Sequence, residues 1–167
     1  MNRKLIKISA VVGIAVLFFV AGIYAKAVPD TIKLEDPAYK EHKKGVVDFS
    51  HGKHQKEYAQ AYPDLYKNGC GECHHNDKNE PLTDLKEGDE VKKCIECHKI
   101  AGEVPKDLKK EWKAKKISKD EKKKLELEYH AEALHENCRV CHKEFNKKYK
   151  PKKAPTTCTK CHPKTKK

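Results

Sequence analysis

The chain has 167 residues and a formal net charge of +12; 37% of its residues are charged and 37% are hydrophobic. This composition excludes a conventional side-chain core, because so little apolar surface cannot offset the conformational entropy of a folded chain. The excess of lysine predicts a solvated basic surface and is only weak support for a nucleic-acid ligand, so no nucleic-acid partner is expected.

Residues 1–27 have the layout of a secretory signal peptide. Basic residues precede an apolar run from Ile8 to about Ala25, and a small-x-small pattern then suits cleavage after Ala27. The run also just reaches the length of a membrane span, so an uncleaved N-terminal membrane anchor is the alternative. Both interpretations place residues 28–167, predicted to be a single domain, outside the cytoplasm, and the expected location is periplasmic.

The first part of this domain is predicted to contain little regular structure. Residues 28–47 are expected to form an extended lead-in, because prolines interrupt them. Residues 44–49 have the turn and strand character of a short strand or hairpin edge. A helical pattern follows from about residue 51 to residue 66, with a break near Pro63.

The longest stretch between cysteine motifs is predicted to be helical. Residues 105–116 fit a helix that has proline in its first turn. A capping box from Ser118 to Glu121 predicts a second helix over residues 119–136. Residues 145–155 are expected to form a short basic linker that ends in prolines.

Four copies of one pentapeptide, C-x-x-C-H, contain all eight cysteines of the chain. This is the attachment motif of c-type haem, in which two thiols add to the vinyl groups of one haem and the histidine ligates its iron. Structural zinc and disulfides are the alternatives, but neither needs a histidine after every second cysteine. The copies are Cys70-Gly-Glu-Cys73-His74, Cys94-Ile-Glu-Cys97-His98, Cys138-Arg-Val-Cys141-His142 and Cys158-Thr-Lys-Cys161-His162.

The histidine count bears on the second axial ligand of each iron. Met1 is the only methionine, so methionine ligation is excluded once the N-terminus is processed, although lysine or water stays formally open. Four irons need four further histidines if every haem is bis-histidine. Outside the motifs the chain offers six: His42, His51, His54, His75, His130 and His135.

Three segments resemble the tetrahaem cytochromes c3, the class III cytochromes c, which are related to the trihaem cytochromes c7. They are Val47-Asp-Phe-Ser-His-Gly-Lys-His54, Cys73-His74-His75 and His135-Glu-Asn-Cys-Arg-Val-Cys-His142. The resemblance spans about residues 45–162. It implies a small, mainly α-helical and irregular multihaem cytochrome c fold with a haem-packed core, a short β element near the N-terminus and few helices.

The chain departs from this family in two respects. All four motifs have two residues between their cysteines, whereas several family members have four at some sites. Residues 103–134 also look longer and more helical than is usual, which bears on the second ligand of the fourth haem.

The resemblance also implies which histidines share an iron. The pairs are His51 with His74 on the first haem, His75 with His98 on the second, His54 with His142 on the third, and His135 with His162 on the fourth. His42 is left over and is expected to be exposed. His130 lies on the same predicted helix as His135 and is the alternative fourth ligand. Because adjacent His74 and His75 would serve different irons, the haems should lie close together and titrate as a coupled set.

If every iron has six ligands, no site is open to a substrate, and the chain is an electron carrier rather than an enzyme. Two neutral imidazoles lack the methionine that raises the potential of cytochrome c, so low potentials are expected. One alternative is a membrane-anchored tetrahaem subunit of a quinone-linked redox complex. Less favoured are a building block of an extracellular cytochrome polymer and a multihaem reductase acting on nitrite or a similar oxyanion.

By the resemblance, the partners would be redox proteins of anaerobic respiration. Periplasmic hydrogenases, formate dehydrogenases and membrane-bound quinone-linked complexes are the expected donors and acceptors. Lysines around the last two motifs predict docking of acidic partners at the fourth haem. They are Lys143, Lys147, Lys148, Lys150, Lys152, Lys153, Lys160 and Lys164.

Overall fold

The computed structural model describes residues 28–150 and 153–163. The predictions for residues 1–27 therefore lie outside the described residues. Within the described ranges, no helix is both long enough and apolar enough to cross a bilayer. One compact unit begins with Pro29–Leu85 and resumes at Val91, and it contains all four cysteine motifs.

The segment Lys86–Glu90 belongs to a second unit and forms a turn of its own. The backbone N–H of Lys86 donates to the carboxylate of Asp89 at 2.7 Å, and the N–H of Asp89 donates back to the carbonyl of Lys86 at 3.1 Å. This reciprocal pair closes a turn within the polar segment.

A two-stranded antiparallel sheet stands near the start of the described chain. Strand β1 (Ile32–Lys33) pairs with β2 (Asp48–Phe49), with Ile32 opposite Phe49. The short strand predicted within residues 44–49 is therefore confirmed. Its partner strand comes from the lead-in, which the sequence pattern described only as extended.

The helical stretch predicted from residue 51 is present but is of an uncommon kind. Lys53–Tyr58 is π-helical, and α1 (Ala59–Ala61) continues it for one α-helical turn. The 3₁₀ turn Pro63–Leu65 follows, so the helix ends where proline predicted a break. π-helical turns are rare in proteins, and those that do occur often lie at functional sites. This one contains His54.

The remaining helices include the motifs and the long stretch between them. Pro105 immediately precedes the helix Lys106–Ala114, and the Ser118 hydroxyl accepts the backbone N–H of Glu121 at 3.1 Å at the start of the helix Lys119–Leu127, as the capping pattern predicted. A 3₁₀ turn, Gly69–Glu72, contains part of the first motif. The helices are α2 (Cys94–Cys97), α3 (Lys106–Ala114), α4 (Lys119–Leu127), α5 (His130–Lys148) and α6 (Cys158–Cys161).

The single helix predicted for residues 119–136 is wrong, because the chain breaks between α4 and α5. The backbone N–H of Ile100 donates to the carbonyl of Glu128 at 3.0 Å, and the carbonyl of Ile100 accepts the N–H of His130 at 2.8 Å. These tertiary hydrogen bonds replace the helical ones at the break. The linker predicted from residue 145 is also wrong at its start, since α5 continues through Lys148.

Side chains alone form a very small core. Among the described residues, the buried apolar side chains are Val104, Trp112 and Ala133, and no polar or charged side chain is buried. Fully burying such a side chain contributes about 1.5–3 kcal/mol for the larger types. Ordering each residue costs about 1–2 kcal/mol. The predicted fold class is confirmed, as a small, irregular and mainly helical chain with a short sheet near its N-terminus.

We expect the haem-free chain to be largely unfolded, because three buried side chains cannot offset the backbone entropy of the described chain. Far-UV circular dichroism of a variant with all eight motif cysteines changed to alanine should show little helical signal and no cooperative thermal transition. The haem-loaded wild-type protein is the matched control and should melt cooperatively. A native-like cooperative transition in the haem-free chain would contradict this expectation.

Candidate haem-attachment sites

Each motif places its histidine one turn after its first cysteine. In three motifs the backbone N–H of the histidine donates to the backbone carbonyl of the first cysteine. The distances are 3.0 Å in the first motif, 2.9 Å in the second and 2.7 Å in the fourth. The third motif lies inside α5, where the regular helix gives the same spacing. Two thiols and one imidazole therefore emerge from one turn, as attachment to a single porphyrin edge requires.

The described residues contain neither a disulfide nor a cluster of side chains arranged for structural zinc. All eight cysteines, each of them in a described segment, are free thiols. Across the ranges that the structure describes, no three His, Cys, Asp or Glu side chains gather around one point suited to a bare metal ion.

Three of the four histidine pairs implied by the family resemblance face each other at nearly one distance. Two metal–nitrogen bonds of about 2 Å and two ring radii of about 1 Å add up to about 6 Å, which is the spacing of two imidazoles on one ion. The ring centroids are 6.1 Å apart for His54 and His142, 6.1 Å for His75 and His98, and 6.2 Å for His135 and His162.

The first pair is close but its geometry differs. His74 lies near enough to His51 that the positive charge of one ring disfavours the charge of the other, and burial together with His51 lowers the pKa of His74. His51 stands edge-on to Phe49, with ring centroids 6.0 Å apart. The buried Nδ1 of His51 has no hydrogen-bond partner in the protein. An orphaned buried nitrogen is costly, which is consistent with a site completed by a group that the protein itself does not supply.

Backbone carbonyls hold most of the candidate ligands through Nδ1. A neutral imidazole that donates from Nδ1 leaves Nε2 free to bind a metal, which is the arrangement usual for metal-ligating histidines. Nδ1 of His54 pairs with the carbonyl of Ser50 at 2.9 Å, that of His75 with Asn76 at 2.8 Å, that of His142 with Pro155 at 2.7 Å, that of His162 with Gly45 at 2.8 Å, and that of His98 with Leu127.

The ring of His135 lies near a carboxylate, and within the described residues it makes no hydrogen bond to a backbone carbonyl. Its Nδ1 lies 3.7 Å from the carboxylate of Glu103. Burial lowers the pKa of His135, and it also lowers the pKa of His54. A lowered pKa keeps an imidazole neutral at ordinary pH, and the neutral ring is the form that binds metal.

His74 and His75 immediately precede a tight polar loop, residues 76–80. The N–H of Leu82 donates to the carbonyl of His74 at 2.9 Å, and His75 forms a bridge with Pro81. The side-chain oxygen of Asn76 accepts two backbone N–H groups of the loop, at 2.9 and 3.0 Å. The loop therefore fixes the backbone of His74 and His75 while their rings face different partners.

The first and third motifs are tied directly to each other. Asn137, the residue before the third motif, donates its amide N–H to the carbonyl of Cys73 at 3.1 Å. Burial, with a smaller effect of the neighbouring thiols Cys138 and Cys141, raises the pKa of Cys73 to about 12. Two attachment sites that are distant in sequence are therefore close in space.

The lead-in closes the fourth site. A Cβ on Gly45 would lie 2.3 Å from the carbonyl oxygen of Pro163, so only glycine fits there without a shift of the backbone. The amine of Lys44 lies 3.0 Å from the sulfur of Cys158. Sequence reasoning missed these contacts, since Lys44 and Gly45 were noted only as turn residues.

The two histidines that the resemblance leaves over meet around one tyrosine. The hydroxyl of Tyr39 lies 3.0 Å from Nδ1 of His130, and the ring of His42 stacks on Tyr39 with centroids 5.5 Å apart. His42 is thereby partly buried, so the expectation that it is exposed is wrong. The structure brings His135, and not His130, to within ring contact of His162.

Comparison with known proteins agrees with this geometry. Residues 29–162 match the model of the class III cytochrome C family. Searches of curated proteins and of solved structures gave no match. The family match covers most of the chain and includes all four motifs. The chain therefore belongs to the class III cytochrome c family, whose members carry covalently bound c-type haem and act as multihaem electron-transfer proteins.

Proposed function

We propose that the chain is a periplasmic, low-potential electron carrier with four covalently bound bis-histidine c-type haems. The observation that carries this proposal is the set of facing imidazoles at 6.1–6.2 Å, each joining a motif histidine to a histidine outside the motifs. When bound, each haem supplies an iron that cycles between its ferric and ferrous states. The protein's part is to hold these irons close together and closed to substrate.

The proposed ligand pairs are those implied by the family resemblance. The eight motif cysteines would hold the four haems as thioethers. The irons would be ligated by His51 and His74, His75 and His98, His54 and His142, and His135 and His162. The backbone bonds at Nδ1 support this proposal, because each fixes the ring orientation and makes the free nitrogen more basic.

Closed irons favour a carrier over a reductase. A reductase needs an exchangeable position on an iron, whereas here a second imidazole faces the motif histidine at three sites. Swinging the ring of His54 or His75 away would break its Nδ1 hydrogen bond, at a cost of about 1 kcal/mol, in addition to the metal bond. Two imidazoles without methionine also favour a low potential.

Carbon monoxide tests whether the irons are closed. Added to the dithionite-reduced protein, it should leave the visible spectrum nearly unchanged, because no iron has a free or weakly held position. Mass spectrometry of the native protein should give the mass of the chain after Ala27 plus four haems. A rapid, large spectral shift with carbon monoxide would contradict the carrier proposal, and an intact N-terminus would favour the membrane-anchored subunit.

Matched histidine variants test the fourth ligand. His135→Ala should convert one of the four haems from low-spin to high-spin, seen as a new high-spin signal in the EPR spectrum of the oxidised protein. His130→Ala is the control on the same helix and should keep every haem low-spin, because His130 pairs with Tyr39. A high-spin signal in the His130 variant alone would overturn the assignment.

The proposed partners are acidic redox proteins of anaerobic respiration, such as periplasmic hydrogenases, formate dehydrogenases or membrane-bound quinone-linked complexes. The support is an exposed lysine surface on and after α5. Lys143, Lys147 and Lys148 line one groove together with Glu144, and Lys160 is exposed within the fourth motif. Opposite charges on the partner would raise the encounter rate.

Charge reversal tests docking at the fourth haem. Lys160→Glu should slow electron transfer with an acidic hydrogenase at low ionic strength, measured by stopped-flow absorbance, and added salt should remove most of the difference. Lys124→Glu changes an exposed lysine of α4 in the same way and is the matched control, expected to have a smaller effect. Equal rates for both variants, independent of salt, would count against this docking site.

A further inference from the structure

His54 is a candidate ligand whose ring is enclosed by other aromatic rings. Its centroid lies 4.7 Å from that of Phe49, at an interplanar angle of 47°. Tyr58 stands against it edge-to-face, with centroids 5.2 Å apart and an angle of 79°. Across the third site, His142 faces it at 6.1 Å.

The two aromatic contacts come from separate elements. Phe49 ends β2, whereas Tyr58 ends the π-helical turn that contains His54. The carbonyl of Ser50 fixes the direction of Nδ1 at 2.9 Å. The aromatic rings restrict rotation of the imidazole about its Cβ–Cγ bond, because turning the ring would lose the favourable edge-to-face contact.

The third pair of rings is also the most nearly parallel of the three measured pairs. The interplanar angle is 32° for His54 and His142, compared with 66° at the second site and 85° at the fourth. In the described part of the chain, the ring contacts of His75 and His135 are with their opposite histidines alone. The small angle therefore occurs at the site where other aromatic rings hold one of the imidazoles.

We propose that Tyr58 is a positioning residue that holds the imidazole of His54 and thereby sets the relative orientation of the two ligand rings at the third haem. The proposal rests on the proposed assignment of His54 and His142 to one iron. Tyr58 touches the ligand ring and has no role in attaching the haem.

Ring orientation has a direct spectroscopic consequence. In a low-spin ferric haem, the planes of two axial imidazoles determine the splitting of the iron d orbitals. Nearly parallel planes give a rhombic EPR signal, and nearly perpendicular planes give a signal with a larger maximum g value. Among the second, third and fourth haems, the third is therefore expected to give the most rhombic signal, with the other two at larger maximum g.

Tyr58 lies at the rim of its site, with 37% of its surface exposed. Its replacement removes no part of the buried apolar core, which consists of other residues in the described ranges. A variant at this position is therefore expected to fold and to attach its haems. It should also let water approach the third haem, which stabilises the charged ferric form and lowers the midpoint potential of that haem.

The experiment uses the haem-loaded protein and EPR of its oxidised form. Tyr58→Ala should shift one rhombic signal, that of the third haem, toward a larger maximum g, or broaden it, while the other low-spin signals stay in place. Tyr58→Phe keeps the ring and should retain the wild-type spectrum, and Tyr58→Leu keeps bulk without the ring and should behave like the alanine variant. Tyr39→Ala is the matched control, since Tyr39 contacts His42 and His130, and should leave all signals unchanged.

The outcomes separate this inference from the proposed function. An unchanged rhombic signal in both Tyr58→Ala and Tyr58→Leu would overturn the positioning role while leaving the bis-histidine proposal intact. A shift in Tyr58→Phe as large as in Tyr58→Ala would also overturn it, because the hydroxyl rather than the ring contact would be responsible. A high-spin signal in the wild-type protein would contradict the bis-histidine proposal itself.

Discussion

The hydrogen bond from a histidine Nδ1 to a backbone carbonyl is the interaction on which the site geometry depends. It holds the ring and leaves Nε2 free to bind a metal. One of these acceptors is a carbonyl at the end of a helix. Leu127, whose carbonyl faces His98, is the last residue of α4, and the final carbonyls of a helix have no partner within it. Irregular structure is thus a source of acceptors for the ligands.

Helix α5 connects the sites to one another. His135 faces the fourth motif, Asn137 bonds the first motif, and the third motif forms the following turn of the helix. His135 and His142 are two turns apart, which places their Cα atoms about 10 Å apart on nearly the same side of the helix. Their spacing is therefore set by helix geometry, and a chain with so small a side-chain core gains from this rigidity.

The haem-attachment motifs and the candidate ligands could be predicted from the sequence. The backbone contacts that hold the ligand rings in place could not. The cysteine motifs and the histidines can be read directly from the sequence. The facing pairs could therefore be predicted from the family resemblance. The groups that hold these rings are carbonyls of Ser50, Gly45 and Pro155, which any residue type could provide. The break at Glu128 was missed for the same reason, because a remote backbone segment at Ile100 causes it.

His130 and His135 show how helix register determines which imidazole lies beside the fourth motif. Both lie on one helical pattern, and periodicity alone cannot choose between them. Five residues of α-helix rotate a side chain by about 140°, so the two rings cannot serve the same position. The backbone N–H of His130 is bonded to Ile100, which fixes where α5 begins. With that start, His135 faces His162 while His130 faces Tyr39, so the tertiary backbone hydrogen bonds at this break accompany the placement of His135 beside the fourth motif.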